Sequence, residues 1–221
     1  MIYAVPFTQV PKLNDLPVEE VDPYINVSLS HYASDMPANP YNQLTTLRPH
    51  TMNFFRLTEA IQVFNPQFER GVGLGVGEEV LRSRNAEIGE EGDLLVSDLG
   101  LYETILRCRS LKKGGSLLLV IPNQTKLSEV QMSYLYASCF SMVQILLPSM
   151  SHTDADRVLY CADFLGNVPS WITIPPPYNF TMTSYFVTKL DEINSIFGQS
   201  RFDQLKCGAR DRCAEWLRKF M

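Results

Sequence analysis

The run Ser116-Leu-Leu-Leu-Val-Ile121 constrains the fold of this chain more than any other six residues. It is uncharged, has the length of a strand, and is bounded by Gly114-Gly115 before it and Pro122 after it. A half-solvated strand alternates polar and apolar residues. An unbroken apolar run instead suits a strand covered on both faces, as in a sheet sandwiched between helices. The neighbouring segments agree. Residues 93–98, Asp-Leu-Leu-Val-Ser-Asp, form a second apolar run that closes on a carboxylate. Residues 143–147 and 158–164 read as strands close enough to pair as an antiparallel edge hairpin, and 185–190 reads as one more. Met52, Phe55, Leu57, Ile61 and Phe64 are spaced for a helix ending before Pro66. Residues 78–85, 102–111 and 128–141 also read as helices. Strands alternating with helices predict an α/β sandwich on a mostly parallel sheet, with that antiparallel hairpin at one edge.

The two ends differ from this body. Residues 1–50 are rich in proline, asparagine and serine without a sustained period, so an irregular N-terminal arm is expected, with one short strand at 25–29. Residues 51–190 form the expected domain. Residues 191–221 read as a helical tail, interrupted at Gly208 and basic through Arg201, Lys206, Arg210, Arg212, Arg218 and Lys219. Trp216, Leu217 and Phe220 are expected to pack that tail onto the domain.

Composition narrows the function. A chain of 221 residues can bury a core without a metal or a disulfide staple. Its five cysteines are odd in number and lack CxxC spacing, which predicts reduced, intracellular thiols. His31, His50 and His152 show no ligand spacing, so no zinc site is expected. A net charge of -5 argues against a protein that coats nucleic acid nonspecifically. No apolar run reaches membrane-spanning length, and the N-terminus lacks a signal peptide's basic start and apolar core, so no membrane association is expected.

Two features point to chemistry. Gly71-Val-Gly-Leu-Gly-Val-Gly77 is followed by a predicted helix, so its glycines let backbone approach a ligand while the helix start offers free N–H groups. The spacing is neither the dinucleotide GxGxxG nor a P-loop. Gly75-Val-Gly77 instead fits the short GxG turn that holds the amino-acid end of S-adenosylmethionine, and a plain turn is the other reading. Asp98, at a predicted strand's carboxyl end, stands where such sheets bind ligands. It suits a cofactor ribose, or an N-cap for the helix near Tyr102, and both roles are compatible. His152, Asp154 and Asp156 read as a solvated loop, with an acid–base or metal site as the alternative. Arg107, Arg109, Lys112 and Lys113 read as a solvated face, or as phosphate contacts.

The segments NFFRLTEAIQVFNPQFERGVGLGVG, LKKGGSLLLVIPN and HTDADRVLYCADFLG resemble, in order and spacing, the RrmJ/FtsJ-type RNA ribose 2′-O-methyltransferases. The viral members, above all the nidovirus (coronavirus-like) cap methyltransferases, are the most similar. The resemblance covers roughly residues 50–170 and implies a Rossmann-like methyltransferase sandwich. It implies S-adenosylmethionine held by Gly73, Gly75, Gly77 and Asp98, and methyl transfer to capped RNA. It also implies a viral replication polyprotein in the host cytoplasm, with a replicase subunit as possible partner. The family's Lys–Asp–Lys–Glu tetrad falls, by position, on Arg56, Asp98, Val120 and Asp156. Arginine clamps a phosphate but is no base, and valine does no proton chemistry. Lys126, at the start of the next helix, is the candidate to replace the missing base. The family fits two more strands between the glycine loop and its aspartate, so Asp98 matches either the catalytic or the ribose-binding acid. The same departures describe a second reading: a noncatalytic methyltransferase-fold module serving as an RNA-binding or replication scaffold.

Overall fold

The computed structural model describes residues 3–7, 51–121, 127–148, 156–205 and 218–219. Strand β1 spans Tyr3–Phe7 and helix α1 Asn53–Phe64. β2 (Arg70–Leu74), α2 (Val76–Ser83) and the two-residue β3 (Glu87–Ile88) come next. β4 (Gly92–Ser97) and α3 (Leu101–Arg107) precede the long β5 (Leu111–Ile121). The remainder is α4 (Leu127–Cys139), β6 (Phe140–Leu147), β7 (Arg157–Phe164) and α5 (Ser184–Leu205).

The strands build one seven-stranded sheet in the order β1-β6-β7-β5-β4-β2-β3. β3, β2, β4 and β5 run parallel. β7 lies antiparallel between β5 and β6, which restores β6 to the common direction. The chain is thus a Rossmann-like α/β sandwich of the methyltransferase kind, mostly parallel with β7 reversed inside the sheet. The expected β6–β7 hairpin forms, and β1 lies antiparallel on its outer side, with Tyr3 opposite Leu147 and Phe7 opposite Val143.

The central strand behaves as its apolar run demands. Leu117, Leu119 and Ile121 enter the cluster built with α3, α4 and α5, whereas Leu118 and Val120 enter the cluster under α1 and α2. Leu117, Leu118, Leu119 and Ile121 have no exposed surface, and each such side chain contributes about 1.5–3 kcal/mol through burial. Helix α1 ends as expected before Pro66: Asn65 takes the left-handed conformation (φ 45°) and its N–H returns to Ile61 O at 2.9 Å.

Four local expectations need correction. Residues 185–190, read as a strand, lie in helix α5. The buried positions Phe186, Leu190, Ile193 and Phe197 follow a helical stripe, which outweighs the β-branched content of that stretch. β5 begins at Leu111, five residues before the apolar run, and Gly114 turns through φ 83° inside it. Within the expected N-terminal arm, residues 3–7 form a strand, and the segment 25–29 lies outside the described residues. α5 also runs across the boundary expected at residue 190.

Candidate functional site

After β2 the chain moves outward to β3, then returns to place β4 on the other flank of β2. The sheet order therefore reverses between β2 and β4, and the crevice at the carboxyl ends of those strands is where open α/β sheets bind ligands. β2 delivers Gly75 to this crevice and β4 delivers Asp98. Only the two-residue β3 stands between them in sequence, where the resemblance implied two further strands.

Asp98 is the hub of the crevice. Its Oδ1 accepts the Val76 N–H at 2.9 Å, at the first turn of α2, and its Oδ2 accepts Asn53 Nδ2 at 3.2 Å. Asp98 thus caps a helix, but it caps α2; α3, near Tyr102, starts at Gly100 with no side-chain cap. The turn that carries Asp98 is pinned from below. Ser97 Oγ accepts the Leu99 N–H at 3.1 Å and pairs with Thr104 Oγ1 at 2.9 Å, both hydroxyls being buried.

The network continues through α1. Arg56 Nη1 donates to Asn53 Oδ1 at 2.6 Å and to Asp156 Oδ2 at 2.8 Å. Arg56 is 5% exposed, whereas Asp156, just before β7, retains 30%. One chain of contacts, Val76–Asp98–Asn53–Arg56–Asp156, thereby joins α2, β4, α1 and the start of β7. Arg56, Asp98 and Asp156, gathered from three distant parts of the sequence, meet here. Asn53 completes the link, and the sequence reading had not singled it out. Its only sequence signal is its place three residues before Arg56, one helical turn away on the same face.

The remaining tetrad position is occupied by apolar packing. Val120 is 8% exposed, pairs with Val158 across β5 and β7, and belongs to the core under α1. Lys126, His152 and Asp154 lie outside the described residues. Among the described residues, no group of three or more His, Cys, Asp or Glu side chains is placed to hold a metal, and no helix is long and apolar enough to cross a membrane.

Each glycine of the loop meets protein. A Cβ on Gly77 would stand 1.9 Å from the Val96 carbonyl oxygen, so this glycine lets α2 press against β4. A Cβ on Gly73 would stand 2.4 Å from Glu78 Cα, where α2 packs back on β2. Gly75 has φ 59°, a conformation open to glycine, and a Cβ there would meet Asp98 Oδ1 at 2.2 Å. An open cleft of about 480 Å³ lies beside it, lined by Gly75, Val76, Glu78, Glu79, Arg82 and Asp98. Arg82 is committed to Glu78 one turn away. A fold of this kind suggests S-adenosylmethionine, and the cleft has volume for an adenosyl group. The carboxylate of the amino-acid end does not fit the same arrangement. The N–H at the head of α2 is taken by Asp98, and the carboxylates of Glu78, Glu79 and Asp98 outnumber the single arginine of the lining.

A second open cleft, of about 520 Å³, lies at the opposite ends of the strands and includes Gln67, Phe68, Asp93 and Lys113. Asp93 there accepts the Glu69 and Arg70 N–H groups at 3.3 Å and pairs with Lys112 at 3.0 Å. Its hydrogen bond from Lys112 holds the carboxyl below its ordinary pKa. These contacts serve the β2–β4–β5 junction; Lys112 and Lys113, which the sequence offers as a solvated face or as phosphate contacts, lie here, at the end of the sheet away from Asp98 and Arg56.

The chain matches no protein-family model and no curated protein. Among solved structures, it is similar to a "Putative hemolysin from Streptococcus thermophilus", with 10% sequence identity and a TM-score of 0.45. The match covers 73% of this chain and 78% of that one. The fold assignment rests on strand order and direction.

Proposed function

We propose that this chain is a methyltransferase-fold module that binds without transferring a methyl group. The observation that carries the reading is Val120. The position that aligns with the family's proton-abstracting lysine is a valine packed into the core beneath α1. Abstraction of a ribose 2′-hydroxyl proton needs a titratable group within hydrogen-bond reach, and a branched alkyl side chain supplies none. The other polar groups support the same reading. Arg56 holds Asp156 and Asn53, and Asp98 holds Val76 and Asn53. They are engaged with one another as a brace between helices and sheet.

The role left to such a module is recognition. The resemblance to viral cap methyltransferases supports capped RNA or a replicase subunit as the partner, with the module acting as a scaffold in the host cytoplasm. The test is methyl transfer from radiolabelled S-adenosylmethionine to capped RNA by the full chain, beside Asp98→Ala, Asp156→Ala and Lys126→Ala. We expect no product above the protein-free blank. Transfer by the unaltered chain that any of the three substitutions abolishes would overturn the reading and restore the enzyme.

A further inference from the structure

We infer that Asp98 is an internal stand-in for a ligand carboxylate, closing the glycine loop against the amino-acid end of an adenosyl cofactor. The inference rests on the methyltransferase-fold reading above and deepens it. Three observations converge. The Val76 N–H, which begins α2, is bound at 2.9 Å by Asp98 Oδ1. The space left by the missing side chain of Gly75 is filled by that same oxygen, since a Cβ there would lie 2.2 Å from it. The second oxygen is held at 3.2 Å by Asn53, which Arg56 fixes in turn. The carboxylate is therefore anchored on both oxygens and sits against the turn, where an incoming anion would have to stand.

The physical consequence is competition. A helix start favours one negative charge, and a second carboxylate brought beside Asp98 meets like-charge repulsion as well as an occupied donor. A ligand with an adenosyl group but no carboxylate meets neither obstacle. The loop thus discriminates within one cofactor: the nucleoside thioether is admitted to the open cleft beside Glu78 and Glu79, and the carboxylate of the amino-acid tail is refused the start of α2.

The experiment compares two uncharged-sulfur probes by calorimetric titration: S-adenosylhomocysteine, which carries the amino-acid end, and 5′-methylthioadenosine, which lacks it. For the unaltered chain, methylthioadenosine is expected to bind at least as tightly. In Asp98→Ala the seat opens, and the homocysteine probe is expected to gain about tenfold in affinity while methylthioadenosine stays within about twofold. Asn53→Ala, which frees one oxygen and leaves the seat's donor intact, is expected to shift the ratio in the same direction by less. It also serves if Asp98→Ala does not fold, as read from its thermal transition. A ratio of the two affinities unchanged by both variants, a weaker hold on S-adenosylhomocysteine in Asp98→Ala, or no binding of either probe to any folded variant would overturn the inference. Methyl transfer by the unaltered chain, in contrast, would overturn the noncatalytic reading whatever the binding ratio, so the two failures are distinguishable.

Discussion

Arg56 and Asp156, one hundred residues apart in the chain, meet at 2.8 Å across the carboxyl end of the sheet. The guanidinium is almost wholly buried and the carboxylate is partly wet. Such a pair acts less as a source of net stability than as a constraint, because removing the carboxylate takes the counter-ion from a buried guanidinium. Asp156→Ala is expected to cost about 1–3 kcal/mol, reduced from the fully buried case by the carboxylate's exposure. In a double-mutant cycle with Arg56→Met, read by urea unfolding, the two changes should be non-additive. Additive losses would mean the pair does not couple α1 to β7.

The glycines of the loop give a sharper contrast. Gly77→Ala places a methyl group 1.9 Å from a backbone carbonyl that has no freedom to yield, and more than about 3 kcal/mol should be lost as α2 is forced off β4. Gly114→Ala meets no atom within 4 Å but keeps φ 83°. It should cost only about 1–2 kcal/mol of backbone strain. Equal shifts in the two melting temperatures would contradict the packing role assigned to Gly77.

Alkali should weaken the fold before acid chemistry is considered. Burial pushes the Cys161 and Cys108 thiols up, with neighbouring cysteines adding to the effect, and burial likewise raises Cys139 against a smaller opposing hydrogen bond from Ser138. Tyr136 is raised well above an ordinary phenol, again first by burial. A group with a raised folded-state pKa binds protons more tightly when folded. Its contribution is whole below the unfolded pKa and is lost as pH rises beyond it. The thiols should therefore begin to cost stability above about pH 8.5 and Tyr136 above about pH 10, each with a limiting slope of about 1.4 kcal/mol per pH unit. Urea midpoints measured from pH 7 to 10 check this, and Cys161→Ala should flatten the fall.

The segment between β7 and α5 is strapped to α4 by the Gln131 amide, beside the ring contact of Tyr134 with Phe180. Gln131, 3% exposed, donates from Nε2 to Tyr178 O at 2.6 Å and accepts the Tyr178 N–H at 2.9 Å. It thereby imitates a strand partner for a single residue, and it seats Tyr178 and Phe180 beside Trp171. Gln131→Ala leaves both backbone groups unsatisfied, at a cost of about 1–3 kcal/mol. Limited proteolysis should then cut within residues 169–183 sooner than in the unaltered chain, and the same cleavage rate would remove the strap from the account.

The parts of this architecture that could be read from the sequence are those in which burial writes its own pattern. β4, β5 and β7 are apolar because both their faces are covered, so each announces itself. The first half of β5 does not, since Lys112, Lys113 and Gly114 are exposed and resemble a turn. β3 is two residues long and shows no period at all. In the site, Arg56, Asp98 and Asp156 were traceable through the family resemblance, which encodes spatial neighbours by order along the chain. Asn53 was not, because a hydrogen bond across forty-five residues leaves no local trace. Nor could spacing reveal that Asp98 caps α2, since the helix it serves precedes it by twenty-two residues.

The pairing of Tyr3 with Leu147 also bears on how the chain is made. A ribosome releases β1 long before β6 exists, so the nascent chain carries a strand with no ladder to join until the sheet's far side has been synthesised. Closing so distant a contact is slow, and an unsatisfied strand edge invites pairing with other molecules. The sheet's outer margin is therefore the step at which biogenesis of this protein is most exposed to chaperones, to neighbouring nascent chains, and to error.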